Sequence, residues 1–159
     1  LQCAELLERW PIWRFAEELA ELGRRYNNAL IAVERNNHGH AVLYALRHKH
    51  EYPRLYRHWG LHKDSEAQAA EGWPMNARTK PEAVQGLARM LRDAPETFNS
   101  SRLLEQCRGF SWTAGGGMAA RGGNSPDDSS GHDDLVIAMA IALAVRAQSP
   151  PVELLATEG

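Results

Sequence analysis

A chain of 159 residues, 43% apolar and 24% charged, is long enough to close one domain around its own apolar core. Its formal net charge of −2 excludes a global basic field, so any nucleic-acid surface must be a local patch. The longest apolar run, residues 135–145, falls short of the ~20 residues a membrane span needs, and Cys3 and Cys107 are isolated and form no CxxC pair. Reduced thiols in a cytosolic setting are therefore the expectation.

Residues 1–10 mix charge with apolar residues, unlike a signal peptide, and their imperfect alternation leans towards a strand. Opening on Leu1 rather than Met, the chain reads as part of something longer. Pro11 then starts a helix over 12–26, with Phe15, Leu19 and Leu22 on one face and Asn27-Asn28 at its end. Residues 29–33, ALIAV, read as a short buried central strand ending on Glu34. A second helix is expected over 39–48 and a short strand around Leu55-Tyr56. Residues 62–72 are polar enough for a loop or hairpin. Helices follow from Lys80 to about Ala94 and over 101–108, then a strand over 110–114. Glycine and serine dominate residues 115–131, where mobility is expected. This alternation argues for an α/β fold with a partly parallel sheet, in which sites form at the carboxyl ends of strands.

Carboxylates carry the chemical interest. Gly131-His132-Asp133-Asp134 leads directly into the apolar run, so two adjacent acids sit where a polar loop becomes a buried helix. Helix capping accounts for one Asp, which accepts hydrogen bonds from first-turn N–H groups and complements the helix dipole. Two, preceded by His, point to a metal site. Glu34 is the other acid of interest, although its position alone fits a solvated residue leaving the sheet.

Several short motifs stand in order along the chain. They are Tyr26-Asn27, Glu34-x-Asn36-x-x-Gly39 after the strand, Tyr52-Pro53-x-Leu55-Tyr56, Gly72-Trp73, Thr79-Lys80 before a helix, the stretch 105–110, and Gly131-His132-Asp133-Asp134-Leu135-Val136-x-Ala138. Together they resemble the nuclease domain of the large terminase subunit of tailed bacteriophages. The resemblance implies a ribonuclease H-like fold, a mixed sheet flanked by helices, with residues 1–159 forming one partial domain. The first strands and the family's first acid would lie before Leu1, and the ATPase domain of the full-length protein would also lie outside these residues. The implied activity is metal-dependent cleavage of concatemeric double-stranded DNA during genome packaging in the host cytoplasm. Glu34, Asp133 and Asp134 would hold two ions, Mg²⁺ or Mn²⁺, with Asp134 as direct ligand and Asp133 ligating or capping. Portal or procapsid and the small terminase subunit would be partners, and no membrane is implied. The alternatives are a truncated or degenerate DNA-binding module without cleavage, and another ribonuclease H-like nuclease such as a resolvase or transposase.

Arg47, Lys49, Arg54 and Arg57, with His48, His50, His58 and Lys63, form a basic run interleaved with Tyr52, Tyr56 and Trp59. Phosphate contact is its functional reading, and a solvated helix end the plain one. His132, beside the acids, either touches a phosphate or braces its loop. The remaining histidines lack zinc-site spacing and are expected at the surface. Asp127 and Asp128 are expected to solvate the loop, and Trp10, Trp13, Trp73 and Trp112 to anchor core or loops.

Overall fold

The computed structural model describes residues 1–35, 38–58, 70–112, 118–120 and 133–148. Its regular elements in chain order are α1 (Ile12–Arg25), α2 (His38–Tyr44) running into one π-helical turn (Ala45–Lys49), β1 (Arg57–His58) and β2 (Ala70–Glu71). There follow α3 (Thr79–Asp93), a short 3-10 turn (Pro95–Thr97), α4 (Ser101–Gly109), β3 (Phe110–Trp112), β4 (Met118–Ala120) and α5 (Asp134–Gln148). Helix dominates, and the strands are short. β1 pairs antiparallel with β2, Arg57 opposite Glu71, and β3 pairs antiparallel with β4.

Local chemistry explains the helix ends. Pro11 supplies the carbonyl that accepts from both Arg14 N–H and Phe15 N–H at 3.0 Å, and its own missing N–H is lost where no helical partner exists. Beyond Arg25, Asn27 and Asn28 take positive φ (56° and 52°), which Asn tolerates better than most residues. Asn76 Oδ1 accepts from Thr79 N–H at 3.0 Å ahead of α3, and Ser100 Oγ caps α4 by accepting from Leu103 N–H at 3.0 Å.

Among the described residues, the run 29–33, expected as a central strand, is hydrogen-bonded along one side. Ile31 N–H donates to Arg54 O and Ile31 O accepts from Tyr56 N–H, both at 2.9 Å. One step on, Trp73 N–H donates to Val33 O (2.7 Å) and Arg35 N–H to Trp73 O (2.8 Å), so the bridges Ile31–Leu55 and Glu34–Trp73 run parallel. None of these backbone bonds involves Leu30 or Ala32. Successive residues of an extended chain point their hydrogen-bonding groups to opposite sides, and among the described residues the pairing of this stretch lies on one side. Leu30 is accordingly 38% exposed.

Two apolar clusters form. The first gathers Trp73, Leu87, Leu103, Val136, Ala140 and Ile141 from α3, α4, α5 and the Trp73 bridge. The second gathers Ala16, Ala20, Ile31, Leu46, Tyr52 and Leu55 around α1 and α2. On α1 the small residues Ala16, Ala20 and Gly23 are the buried ones, while Phe15, Leu19 and Leu22 are half-buried. At Gly23 the reason is Tyr52, whose hydroxyl donates to Ala29 O at 2.6 Å and whose ring lies where any Cβ on residue 23 would stand. Close approach selects small residues on that face, leaving the large ones to front a cleft.

Residues 1–10, read as strand-leaning, form no regular element. Loop partners take their hydrogen-bonding groups: Gln2 N–H donates to Thr97 O at 2.7 Å, and Asn99 N–H donates to Gln2 Oε1 at 3.0 Å. The expected mobility of 115–131 lies outside the described residues except for β4, and so do Asn36, Trp59, Lys63, Asp127, Asp128 and His132. No helix among the described residues is long and apolar enough to cross a membrane.

Candidate functional site: an acidic cleft between two helices

Glu34 stands at the tip of the 31–34 stretch, and Asp133 and Asp134 at the start of α5. All three line one cleft of about 410 Å³, together with Glu5 from the N-terminal segment. The two walls are apolar: Phe15, Leu19 and Leu22 of α1 face Ile137, Ala138 and Ile141 of α5. A second cleft of about 460 Å³ continues along the same edge, bounded by Leu19, Leu22, Leu30, Met139 and Ala142. Leu30 and Ala32, whose backbone has no bonding partner among the described residues, therefore lie along an apolar slot with acids at one end.

The start of α5 is held from outside the helix. Gln106 of α4, itself buried, accepts from the buried Leu135 N–H through Oε1 at 2.9 Å. Ile137 N–H donates to Asp133 O at 2.9 Å, the first helical bond of α5. With Gln106 serving Leu135, capping that N–H does not occupy either aspartate side chain. Gln106→Ala leaves a buried donor unpaired and should cost about 1–2 kcal/mol in denaturant unfolding. A variant as stable as the parent would show that Gln106 does not hold the helix start.

Glu5 is a fourth acid that sequence reasoning missed. Its Oε1 accepts from Arg102 Nε and pairs with Arg102 Nη2, both at 2.7 Å, while Oε2 is buried without a partner. Only 14% of the Glu5 side chain is exposed. No spacing rule links residue 5 to residue 102, so the pairing was invisible before folding.

Carboxylate oxygens are the ligands that hard divalent cations take. The donor chemistry of the cleft fits such ions. Among the described residues no three His, Cys, Asp or Glu stand close enough together to hold one by themselves. His132, which would flank the acids, lies outside the described residues.

The expected DNA-facing run divides. Arg47 pairs with Glu71, and Lys49 stands 5.6 Å from the Trp13 ring centroid. Arg54 and Arg57 are exposed. Tyr52 and Tyr56, expected to alternate with these cations on the surface, are buried, Tyr52 in the cluster around α1 and Tyr56 in the one around α5. Burial raises the pKa of each phenol. The tryptophans divide likewise: Trp73 is fully buried, whereas Trp13, expected to be an anchor, is 56% exposed.

His58 corrects the expectation of surface histidines. It is half-buried, its ring 5.3 Å from that of Trp73, and its Nδ1 lies 3.1 Å from Tyr56 Oη, which in turn donates to Gln148 Oε1 at 2.7 Å. His50 is half-buried as well, with a buried Nε2. Desolvation first, then the charges of Arg35 and Arg78, lower the His58 pKa, and Glu82 opposes them. The folded state thus disfavours the imidazolium. The stability this contributes is full above the ordinary value of 6.5 and declines as pH falls below it. His58→Gln should flatten that decline in pH-dependent thermal unfolding; an unchanged profile would assign it to other groups.

No known protein family matches the chain, and no curated protein matches it at a significant level.

Proposed function

We propose that this chain is part of a ribonuclease H-like, metal-dependent DNA endonuclease of the large-terminase type. One observation carries the reading: Glu34 and the Asp133-Asp134 pair, remote in sequence, line a single cleft. The edge at Leu30 and Ala32, unpaired among the described residues, adds support, since a ribonuclease H-like sheet needs a further strand there and an acid on it. An extended segment in the slot would pair with that edge, meet apolar walls on both faces, and bring its last residue level with Glu34. Such an acid would complete a ligand set for two Mg²⁺ or Mn²⁺ ions, which supply in-line phosphodiester hydrolysis when bound. This chain's own part is to hold Glu34 at a strand tip and Asp134 at a helix start, with Gln106 steadying the helix.

Double-stranded DNA is the substrate on this reading, with the host cytoplasm as its setting. Portal or procapsid, the small terminase subunit and the ATPase domain of the same protein are the associated partners. The test is cleavage of duplex DNA by residues 1–159 alone and by a chain extended through the strands that the resemblance places before Leu1. The expected result is little or no cutting by the first, and cutting by the second that needs Mg²⁺ or Mn²⁺ and stops with chelator. An extended chain that binds duplex but never cuts favours a DNA-binding module without cleavage.

A further inference from the structure

Tyr44 and Trp13 are the most exposed aromatic side chains among the described residues, at 69% and 56%. Neither stands alone. The His48 ring lies 4.6 Å from the Tyr44 ring, tilted by 41°, and Lys49 Nζ lies over the Trp13 ring. The π-helical turn Ala45–Lys49 builds this arrangement. His50 N–H bonds Ala45 O at 3.0 Å, a wider loop than an α-turn, and Arg47, His48 and Lys49 emerge exposed in succession. Such single wide turns interrupt a regular helix at a cost and recur at functional sites.

The patch is separate from the acidic cleft. Trp13 and Phe15 are two residues apart, roughly 200° around α1, so Trp13 lies on the side of the helix away from the Phe15, Leu19 and Leu22 wall. Its chemistry is also different. Each ring carries a partner against it, Lys49 over Trp13 and His48 beside Tyr44, and keeps more than half of its surface open to solvent. Arg47 is engaged by Glu71 and Arg14 by Glu18, so phosphate contact falls to Lys49 and His48.

We propose that Trp13, Tyr44, His48 and Lys49 form a stacking platform for unpaired bases of single-stranded DNA. Base faces in a duplex are hidden by their neighbours, whereas an unpaired strand presents them to aromatic rings and its phosphates to adjacent cations. The inference rests on the reading of the chain as a DNA-handling protein, and it adds the strandedness of the DNA held away from the cleft.

The experiment measures anisotropy of labelled oligothymidylate and of a duplex of equal length, together with intrinsic tryptophan fluorescence. The wild-type chain should bind the single strand more tightly and show tryptophan quenching. Trp13→Ala should weaken that binding roughly 5- to 100-fold, the range for losing one base stack, and remove most of the quenching. Tyr44→Ala should weaken it comparably. Lys49→Ala should shallow the slope of log affinity against log salt by about 0.7. Both aromatic side chains are exposed, so an unchanged thermal midpoint certifies the fold. Trp13→Phe should keep part of the affinity while losing the quenching. Equal binding of duplex and single strand, no binding of either, or wild-type affinity in Trp13→Ala and Tyr44→Ala overturns the platform. A chain that binds oligothymidylate through Trp13 but never cuts DNA when extended keeps the platform and sinks the nuclease reading. A nuclease indifferent to Trp13 and Tyr44 does the reverse.

Discussion

Asp134→Asn, made in the chain extended by its expected upstream strands, should abolish duplex cleavage while leaving the fold intact. Asparagine keeps the size of the side chain and a side-chain oxygen for the helix start but removes the charge a hard cation requires. The α5 start keeps its other support, since Leu135 N–H bonds to Gln106 and Ile137 N–H to Asp133 O. Residues that merely orient ligands cost about 10–100-fold when changed, so loss of a direct ligand should exceed about a hundredfold. Cleavage rates with Mn²⁺ and calorimetric Mn²⁺ titration should fall together, with an unchanged thermal midpoint. Normal cutting by the Asn variant would make Asp134 a cap and no more.

Gly39→Ala should damage the same site through the backbone. A Cβ at residue 39 would overlap the carbonyl oxygen of Glu34, so either the first turn of α2 must retreat or the strand tip must move. Both groups belong to main chain, which yields poorly. The expected cost lies at the upper end of the ~1–3 kcal/mol typical of overpacking. Glu34 should also be displaced within the cleft, so an active extended chain should lose cleavage as well. Gly86→Ala in α3 is the matched control. An added Cβ there meets nothing, and removing a helical glycine should stabilise by roughly 0.5–1 kcal/mol. Denaturant unfolding of the two variants decides: if Gly39→Ala is as stable as the parent, the close packing of α2 on Glu34 is wrong.

Gly39 shows how far the pattern of residues reached. Its spacing from Glu34 was legible as a motif, but the reason for glycine, contact with the Glu34 carbonyl, belongs to the packed structure. The same division runs through α1. Apolar periodicity placed a helix over 12–26 and picked out Phe15, Leu19 and Leu22 as its inner face. Tertiary packing instead buried Ala16, Ala20 and Gly23, and at Gly23 the Tyr52 ring takes the space a side chain would need. The π-helical turn, Glu5 beside Arg102 and Gln106 under Leu135 had no readable signal, since each depends on partners brought together only by folding.

What the order of residues determined by itself was the helices and their ends: Pro11, the Asn27-Asn28 pair, Ser100 and the long apolar run after Asp134 act within a turn or two of themselves. Which acids share a cleft, which side of residues 31–34 is bridged to Leu55 and Trp73, and which aromatics reach solvent were decided by tertiary structure. Local rules fix dihedrals and capping partners over a few residues. Strand pairing and burial depend on groups far along the chain, and a stretch such as ALIAV becomes a central strand or an edge according to what lies beside it.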